Sequence, residues 1–262
     1  MRVGISIALL TSGLIASTAQ AAPISYTTLD EVKTENFTFA AGNARIVAWN
    51  DGVTFAGWTA YLSGGSSFSA GAPSTLNIST GAASPDALYL YRASTTTTNH
   101  RLFTRNYNGN SAASTGYISH GWSITNDSGS TLTSFDFGYT GFVGSISTPP
   151  TSGQESLVVQ YAINATNVSN AGGVWTSIGD LLYAPSTENS STVFAPVTTA
   201  ISLAPGETLT IRFVDGNNFN IDANLMIDDV SFSATGVTVP EPASLGLIGI
   251  AALAMLKRRR AM

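Results

Sequence analysis

The sequence predicts an all-β protein built as one antiparallel sandwich or barrel, and three observations support this class. Apolar and polar residues alternate with a period of two in several segments, whereas helical periodicity does not recur. Clusters of Gly, Asn, Asp, Pro and Ser separate these segments, as expected for turns between half-buried antiparallel strands. Residues 22–236, between two apolar ends, have the length of a single sandwich domain.

The chain starts with the pattern of a secretory signal peptide in residues 1–21. Met1-Arg2 forms a short positive region, Val3 to Ile15 forms an apolar stretch, and Ala19-Gln20-Ala21 is a small-x-small cleavage site. We therefore expect the export machinery and signal peptidase to act on this end, with Ala19 and Ala21 as the residues that mark the cut.

The alternation is clearest in three predicted strands. Their inward faces carry Phe135, Phe137 and Tyr139; Leu157, Val159, Tyr161 and Ile163; and Leu209, Ile211 and Phe213. Further predicted strands span Glu35–Phe39, Arg45–Trp49, Leu88–Tyr91, Tyr117–Ile124, Trp175–Ile178 and Leu225–Phe232. The segment from Gly64 to Ser84 is rich in Ser, Gly and Ala, so the sequence predicts a long surface loop there.

Composition excludes several functional classes. Charged residues make up 10% of the chain, the net charge is -5 and basic clusters are lacking outside the C-terminal end, which argues against the Lys/Arg-rich face that neutralises the phosphates of a nucleic acid. The chain contains no cysteine, which rules out disulfides, thiol nucleophiles and cysteine-ligated metals. A domain of this size can bury enough apolar area to fold without such cross-links.

The C-terminal end, residues 237–262, has three parts in a fixed order. Val239-Pro240-Glu241-Pro242 comes first, the apolar run 243–256 follows, and Lys257, Arg258, Arg259 and Arg260 close the segment. A stable membrane span needs about 20 apolar residues, so this run predicts a short transmembrane helix suited to a temporary anchor. Lys and Arg resist translocation, which predicts a cytoplasmic C-terminus with the preceding domain outside.

This order of motifs resembles the PEP-CTERM sorting signal of bacterial envelope proteins. The resemblance rests on Pro240, Glu241 and Pro242, on the short apolar run and on the basic stop from Lys257 to Arg260. It implies that an exosortase-like membrane protease is a partner, that the chain is anchored in the inner membrane only until it is cut, and that it then reaches the envelope, the cell surface or an exopolysaccharide matrix.

The second half of the predicted domain resembles an uncharacterised extracellular module of bacterial surface proteins. The matching stretches are Ser123 to Thr140, Leu157 to Ser177 and Leu203 to Phe232. The resemblance implies a jelly-roll-like sandwich, similar in shape to carbohydrate-binding modules, and it implies no activity. Members often carry Gly-Glu-Gln-Trp-Arg where this chain has Gly141 to Ser145, so any role of that motif does not transfer.

One acidic cluster gathers oxygen ligands of the kind that calcium prefers. Asp215, Asp222 and Asp228 are the candidate ligands, with several Asn residues between them. The spacing does not fit an EF-hand, and Asp228 shares its parity with Val230 and Phe232, which predicts a buried carboxylate that needs a partner. Two interpretations stay open: a structural calcium site, or Asp and Asn side chains that shape a turn. No other cofactor is expected.

The histidines do not indicate a catalytic centre. His120 shares its parity with Ile118 and Trp122, so we expect a hydrogen-bonded structural histidine in the core. His100 lies in a stretch rich in Thr and Asn, where a solvated loop is expected. The acidic residues fall in no recognised hydrolase motif, so we predict that the protein is not an enzyme.

Three functional hypotheses remain. The leading one is an exported structural or surface protein with no enzymatic role. The alternative is a carbohydrate-binding module in which Trp49, Trp58, Tyr61 or Trp175 stacks on sugar rings, although such residues also serve as core packing in β proteins. An extracellular hydrolase is the third.

Overall fold

The computed structural model describes residues 22–38, 46–63, 73, 75–79, 87–91, 99–105, 116–144, 156–216 and 223–238. The predicted signal peptide, Asp222 and the apolar run 243–256 lie outside these ranges. The described ranges also exclude the residues named above for the signal-peptide cut and the C-terminal motif, namely Ala19, Ala21, Pro240, Glu241, Pro242, Lys257, Arg258, Arg259 and Arg260. Within the described ranges there is no helix with the length and apolarity of a membrane span.

The described residues form β-strands joined by turns, which confirms the predicted all-β class. The strands are β1 (Ile24–Tyr26), β2 (Lys33–Glu35), β3 (Ile46–Ala48), β4 (Trp58–Leu62), β5 (Thr75–Ser79), β6 (Ala87–Tyr91), β7 (Arg101–Arg105), β8 (Tyr117–Asn126), β9 (Ser130–Val143), β10 (Leu157–Ile163), β11 (Thr176–Ser177), β12 (Ser191–Leu203), β13 (Thr208–Gly216) and β14 (Leu225–Thr238). The helical elements among the described residues are two single 3-10 turns, Asn170–Gly172 and Gly179–Leu181.

The strands form two sheets that pack as a sandwich. The first sheet has six strands in the order β1-β8-β13-β10-β11, with β4 beside β8. The second has eight in the order β12-β9-β14-β7-β6-β5-β3, with β2 beside β14. The described pairings are antiparallel except β1 with β8 and β5 with β6, which are parallel. The confirmed sandwich therefore departs from purely antiparallel pairing at two short strands.

The core lies between the two sheets and uses the faces that alternation predicts, except at the end of β10, where Ile163 is 37% exposed and Ala162 is buried instead. Phe137 and Tyr139 of the second sheet meet Phe213 of the first, with ring centroids 6.0 and 4.9 Å apart. All three side chains are buried. Complete burial of one such side chain contributes about 1.5–3 kcal/mol, so these rows supply much of the driving force for the sandwich.

The structure corrects the loop predicted between Gly64 and Ser84. Strand β5 lies inside that segment, and its Leu76 is fully buried in the core. A strand this short, flanked by Ser and Gly, is too brief to display a period-two pattern. Strand β12 is also absent from the predicted set, because two register shifts against β9 interrupt its alternation.

Strand β14 is longer than predicted and reaches Thr238. Its second half pairs with β9, ending with Thr238 opposite Ser130. A register shift between Asp228 and Ser231 adds an irregularity in the middle of the strand. The folded domain therefore extends two residues past the expected boundary at residue 236, directly to the start of the C-terminal motif.

Candidate functional site

The C-terminal motif follows a central strand of the second sheet with almost no spacer. Strand β14 lies between β9 on one side and β7 and β2 on the other. Only residues 239–242 separate Thr238 from the apolar run that begins at Ala243. A fully extended chain advances at most about 3.6 Å per residue, so Thr238 and Ala243 can be no more than about 18 Å apart.

The end of the sandwich next to this motif is held by hydrogen bonds. We call it the tail-proximal end and define it by the Asp127–Gly129 turn, the Ala204–Glu207 turn and Thr238. The buried Asn126 side chain is its centre, because Nδ2 donates to the carbonyl oxygens of Ser130 and Leu203 at 2.8 and 2.9 Å. The tail therefore leaves the domain from a fixed structure.

Asp215 lies inside the sandwich. It follows the inward-facing Phe213 by two residues, is fully buried, and its Oδ2 accepts a hydrogen bond of 2.8 Å from Oγ1 of Thr104. Thr104 belongs to β7, so this bond joins the first sheet to the second. Asp215 is thus a polar link within the core.

Asp228 lies on the outer face of the second sheet. The adjacent Ile227 points into the core, and the Asp228 side chain interacts instead with Asn99 and Arg101. Burial raises the pKa of Asp228 to about 6, against the opposing effect of the hydrogen bond that the Asp229 N–H donates to Oδ1 and the smaller effects of the Arg101 charge and the Asn99 hydrogen bond. The expectation that Asp228 shares a face with Val230 and Phe232 fails because the irregularity after Asp228 shifts the alternation.

The candidate calcium ligands are therefore not brought together. Asp215 faces the space between the sheets and Asp228 faces away from it, so the second sheet separates the two carboxylates. Asp222 lies outside the described residues. No group of three His, Asp or Glu side chains in the described ranges is arranged to hold a metal ion.

His120 occupies the predicted core position but lacks the predicted hydrogen bonds. Its ring contacts the rings of Trp58 and Phe213, with centroid distances of 6.1 and 5.3 Å, and those two rings also contact each other at 6.4 Å. Neither ring nitrogen has a hydrogen-bond partner within the described part of the chain. Burial lowers the pKa of His120 to about 3, so the ring stays neutral in the folded protein. The prediction that His100 is solvated is wrong, because its side chain is buried next to β7, whereas the preceding Asn99 is exposed.

The outer face of the first sheet carries a feature that sequence reasoning missed, which we call the Arg212 clamp. Arg212 donates from Nε and Nη2 to Oε1 of Gln160 at 3.0 and 2.6 Å, and from Nη1 to the Val168 carbonyl at 2.7 Å. Nη2 also donates to Oδ1 of Asn170 at 2.8 Å, and Cζ lies 3.8 Å from the centre of the Trp175 ring. The clamp fixes the 164–175 segment over the sheet.

The oxygens that accept hydrogen bonds from the positively charged Arg212 side chain are neutral. Within the described ranges, Arg212 forms no ion pair with a carboxylate, and the ion pair found there joins Lys33 and Glu31. Burial lowers the pKa of Arg212 to about 10, so it remains charged at neutral pH. The signal in the sequence is an Arg at an outward position of the alternating segment Leu209 to Phe213, opposite the polar Gln160.

The aromatic residues considered for sugar stacking divide into two groups. Trp49 and Trp58 are buried in the core, so they cannot stack on a ligand from solvent. Tyr61 and Trp175 are half-buried on the outer face of the first sheet. Trp175 presents one ring face to Arg212, and its Nε1 donates to the Ser169 carbonyl at 2.9 Å.

Similarity to solved structures is distant. The CBM22-1 xylan-binding domain from Paenibacillus barcinonensis Xyn10C is 10% identical, with 81% of this chain and 99% of that chain covered at a TM-score of 0.37. The K2 cleaved adhesin domain of Lys-gingipain is 12% identical, with coverages of 77% and 97% and a TM-score of 0.31. The enzymatically active domain of the bacteriophage CBA120 tailspike protein 4 is 9% identical at a TM-score of 0.34, with 68% of this chain covered.

These likenesses carry no argument about function. The chain spans only 19% of the tailspike chain. No curated protein sequence matches the chain at a significant level. The sandwich assignment therefore rests on the strand order itself.

The C-terminal segment matches a family model. The model of the PEP-CTERM protein-sorting motif matches residues 238–260, which begin at the last residue of β14 and include Pro240, Glu241, Pro242 and the basic stop. This confirms the resemblance seen in the sequence. Such a motif marks an exported protein, and this chain carries a PEP-CTERM protein-sorting motif.

Proposed function

We propose that the protein is an exported structural component of the cell surface or exopolysaccharide matrix, with no enzymatic role. An exosortase-like protease processes it after transient anchoring in the inner membrane. The sorting motif at residues 238–260 is the observation that carries the proposal. In this proposal, the sandwich is the folded domain that remains after processing, and the tail is the signal that directs its sorting.

The position of the motif supports processing next to a folded domain. Thr238 is still paired with Ser130, and only residues 239–242 precede the apolar run. With at most about 18 Å available, the tail-proximal end must lie close to the membrane while the chain is anchored. The protease then has to act on a short tether held at one end by the sandwich and at the other by the membrane.

Replacement of Pro240, Glu241 and Pro242 by alanine tests this proposal. We expect the full-length chain to accumulate in the membrane fraction, whereas the wild-type chain is shortened and leaves it. Alanine at Pro149 and Pro150 is a matched control, because it removes two prolines outside the motif. Unchanged processing of the triple variant on an immunoblot would contradict the proposal.

The basic stop gives a second test of the same address. Replacement of Lys257 through Arg260 by glutamine removes the charges that keep this end in the cytoplasm. We expect a loss of uniform orientation, measured as accessibility of a C-terminal epitope from outside the inner membrane.

The Arg212 clamp favours a second candidate function, namely contact with a polysaccharide. The Trp175 indole is half-buried and packs against Arg212, which also binds the amide oxygens of Gln160 and Asn170. Aromatic rings flanked by amides are suited to stack on sugars and to hydrogen-bond them. A glycan array with wild type and Trp175→Ala tests this candidate. Binding that is lost in the variant supports it, and equal signals from the two proteins contradict it.

A further inference from the structure

The Arg101 side chain crosses the outer face of the second sheet and lies on an aromatic ring. Arg101 belongs to β7, which β14 separates from β9. Its Cζ nevertheless lies 3.6 Å from the centre of the Phe142 ring on β9. The ring of Tyr91, the residue opposite Arg101 on β6, has its centre 5.7 Å from the same atom. Two half-buried aromatic rings therefore fix the position of this guanidinium.

The two rings rest on a buried apolar floor. Phe103 and Met226 are 0% and 3% exposed, and together with Tyr91 and Phe142 they form a small cluster apart from the main core. Ile227, which follows Met226, belongs to the main core, so the small cluster lies on the outer face of the sheet. Packing of this kind pre-organises the groups that it supports.

The hydrogen-bond donors of Arg101 are available, unlike those of Arg212. Each nitrogen of the Arg212 guanidinium donates to a protein oxygen. No hydrogen bond or ion pair joins the Arg101 side chain to another described residue. A guanidinium carries its N–H donors in its plane, so a ring stacked on its face leaves those donors open at the edge. Arg212 is thus a structural residue, whereas Arg101 is equipped to bind a ligand.

An exposed amide lies next to Arg101. Asn99 is exposed and hydrogen-bonds the buried side chain of Asp228, whose Oδ1 also accepts the Asp229 N–H at 2.9 Å. Asp228 therefore holds Asn99 on the outer face of the sheet. We call Tyr91, Asn99, Arg101 and Phe142 the Arg101 site. It offers a guanidinium, an amide and aromatic surface side by side.

The charges around the site favour an uncharged ligand. The carboxyl groups of Asp228 and Asp229 lie on β14, the strand next to β7, and offset the charge of Arg101. The whole chain has a net charge of -5, so a polyanion would be repelled. A ligand must bring oxygen acceptors for Arg101 and Asn99, and an apolar face for the aromatic surface. Neutral sugars have both, in their hydroxyl groups and in the CH groups of their rings.

We infer that the Arg101 site binds an uncharged polysaccharide, with Arg101 and Asn99 hydrogen-bonded to sugar hydroxyls and Tyr91 packed on a sugar ring. The choice of a polysaccharide rests on the proposed function in an exopolysaccharide matrix. The site is independent of Trp175, because Trp175 lies on the outer face of the other sheet.

The probe for this inference is the exopolysaccharide of the cells that export the protein, separated by anion exchange into uncharged and charged fractions. Affinity electrophoresis of the exported, processed protein should show binding to the uncharged fraction. Arg101→Lys should weaken it at least about tenfold, or about 1.4 kcal/mol, the scale of one hydrogen bond to a charged group. Asn99→Ala should also weaken it, and Asn99 is exposed, so this variant should keep the wild-type melting temperature. Lys33→Arg is the matched control and should bind like wild type.

Several results would overturn the inference. They are no binding to the uncharged fraction, binding to the charged fraction alone, equal weakening in Lys33→Arg, or wild-type affinity in a folded Arg101→Lys or Asn99→Ala. A loss confined to Trp175→Ala would also overturn it and would favour the Trp175 candidate instead. The proposed function is decided separately, because processing is read from the immunoblot and does not depend on sugar binding.

Discussion

The sandwich and the C-terminal tail differ in how their residues act. In the sandwich, Phe213, His120 and Arg212 act through packing and hydrogen bonds that exist only in the folded state. In the tail, Pro240, Glu241 and Pro242 belong to a sorting motif of consecutive residues. Folding stability and sorting should therefore be separable, and substitutions in one part should leave the property of the other unchanged.

The largest expected effect on the sandwich comes from Phe213→Ala. The Phe213 ring contacts Tyr139, His120 and Phe137, with centroids 4.9, 5.3 and 6.0 Å away. Truncation of a buried Phe leaves a cavity and costs about 3–5 kcal/mol of unfolding free energy. Urea denaturation of the processed protein measures this loss. A loss below about 1 kcal/mol would show that the two sheets do not depend on this contact.

Arg212→Lys should have a smaller effect of about 2–3 kcal/mol. Lysine keeps the positive charge but cannot bond Gln160, Val168 and Asn170 together, so buried oxygens lose their donors. Lys33→Arg is the control, since the Lys33 pair is part-exposed and worth little. If Arg212→Lys melts like wild type, the charge alone stabilises the 164–175 segment.

His120→Leu should change the pH dependence of stability. Burial holds the folded-state pKa of His120 at about 3, below the unfolded value near 6.5. The unfolded state therefore binds more protons between these values, and wild type loses stability as pH falls below about 6.5. At pH 5 this loss is about 2 kcal/mol relative to pH 7.5, and the variant lacks it. Parallel stability curves for the two proteins across this range would contradict the prediction.

The strands that the sequence predicts well are those whose environment is simple. β9, β10 and β13 have one face in the core and one outside, so their residues alternate with a clear period of two. β12 and β14 contain register shifts, which break the alternation and obscure the true length of the strand. β5 is too short to show a pattern.

The functional residues also differ in how far the sequence predicts them. The sorting motif is predictable because it consists of consecutive residues, so it can be recognised in the sequence without knowledge of the fold. The separation of Asp215 from Asp228 is not predictable, because strand order decides which face of which sheet each carboxylate occupies. The Arg212 clamp likewise depends on β13 lying next to β10, which places Gln160 opposite Arg212.

The position of the C-terminus of the exported protein tests most directly whether the tail is a sorting signal that is removed by processing. Mass spectrometry of the protein recovered from the cell surface should find a chain that keeps Thr238, the last residue of β14, and lacks the apolar run 243–256 and the basic stop. A surface protein that still carries residues 243–260 would contradict processing by an exosortase-like protease.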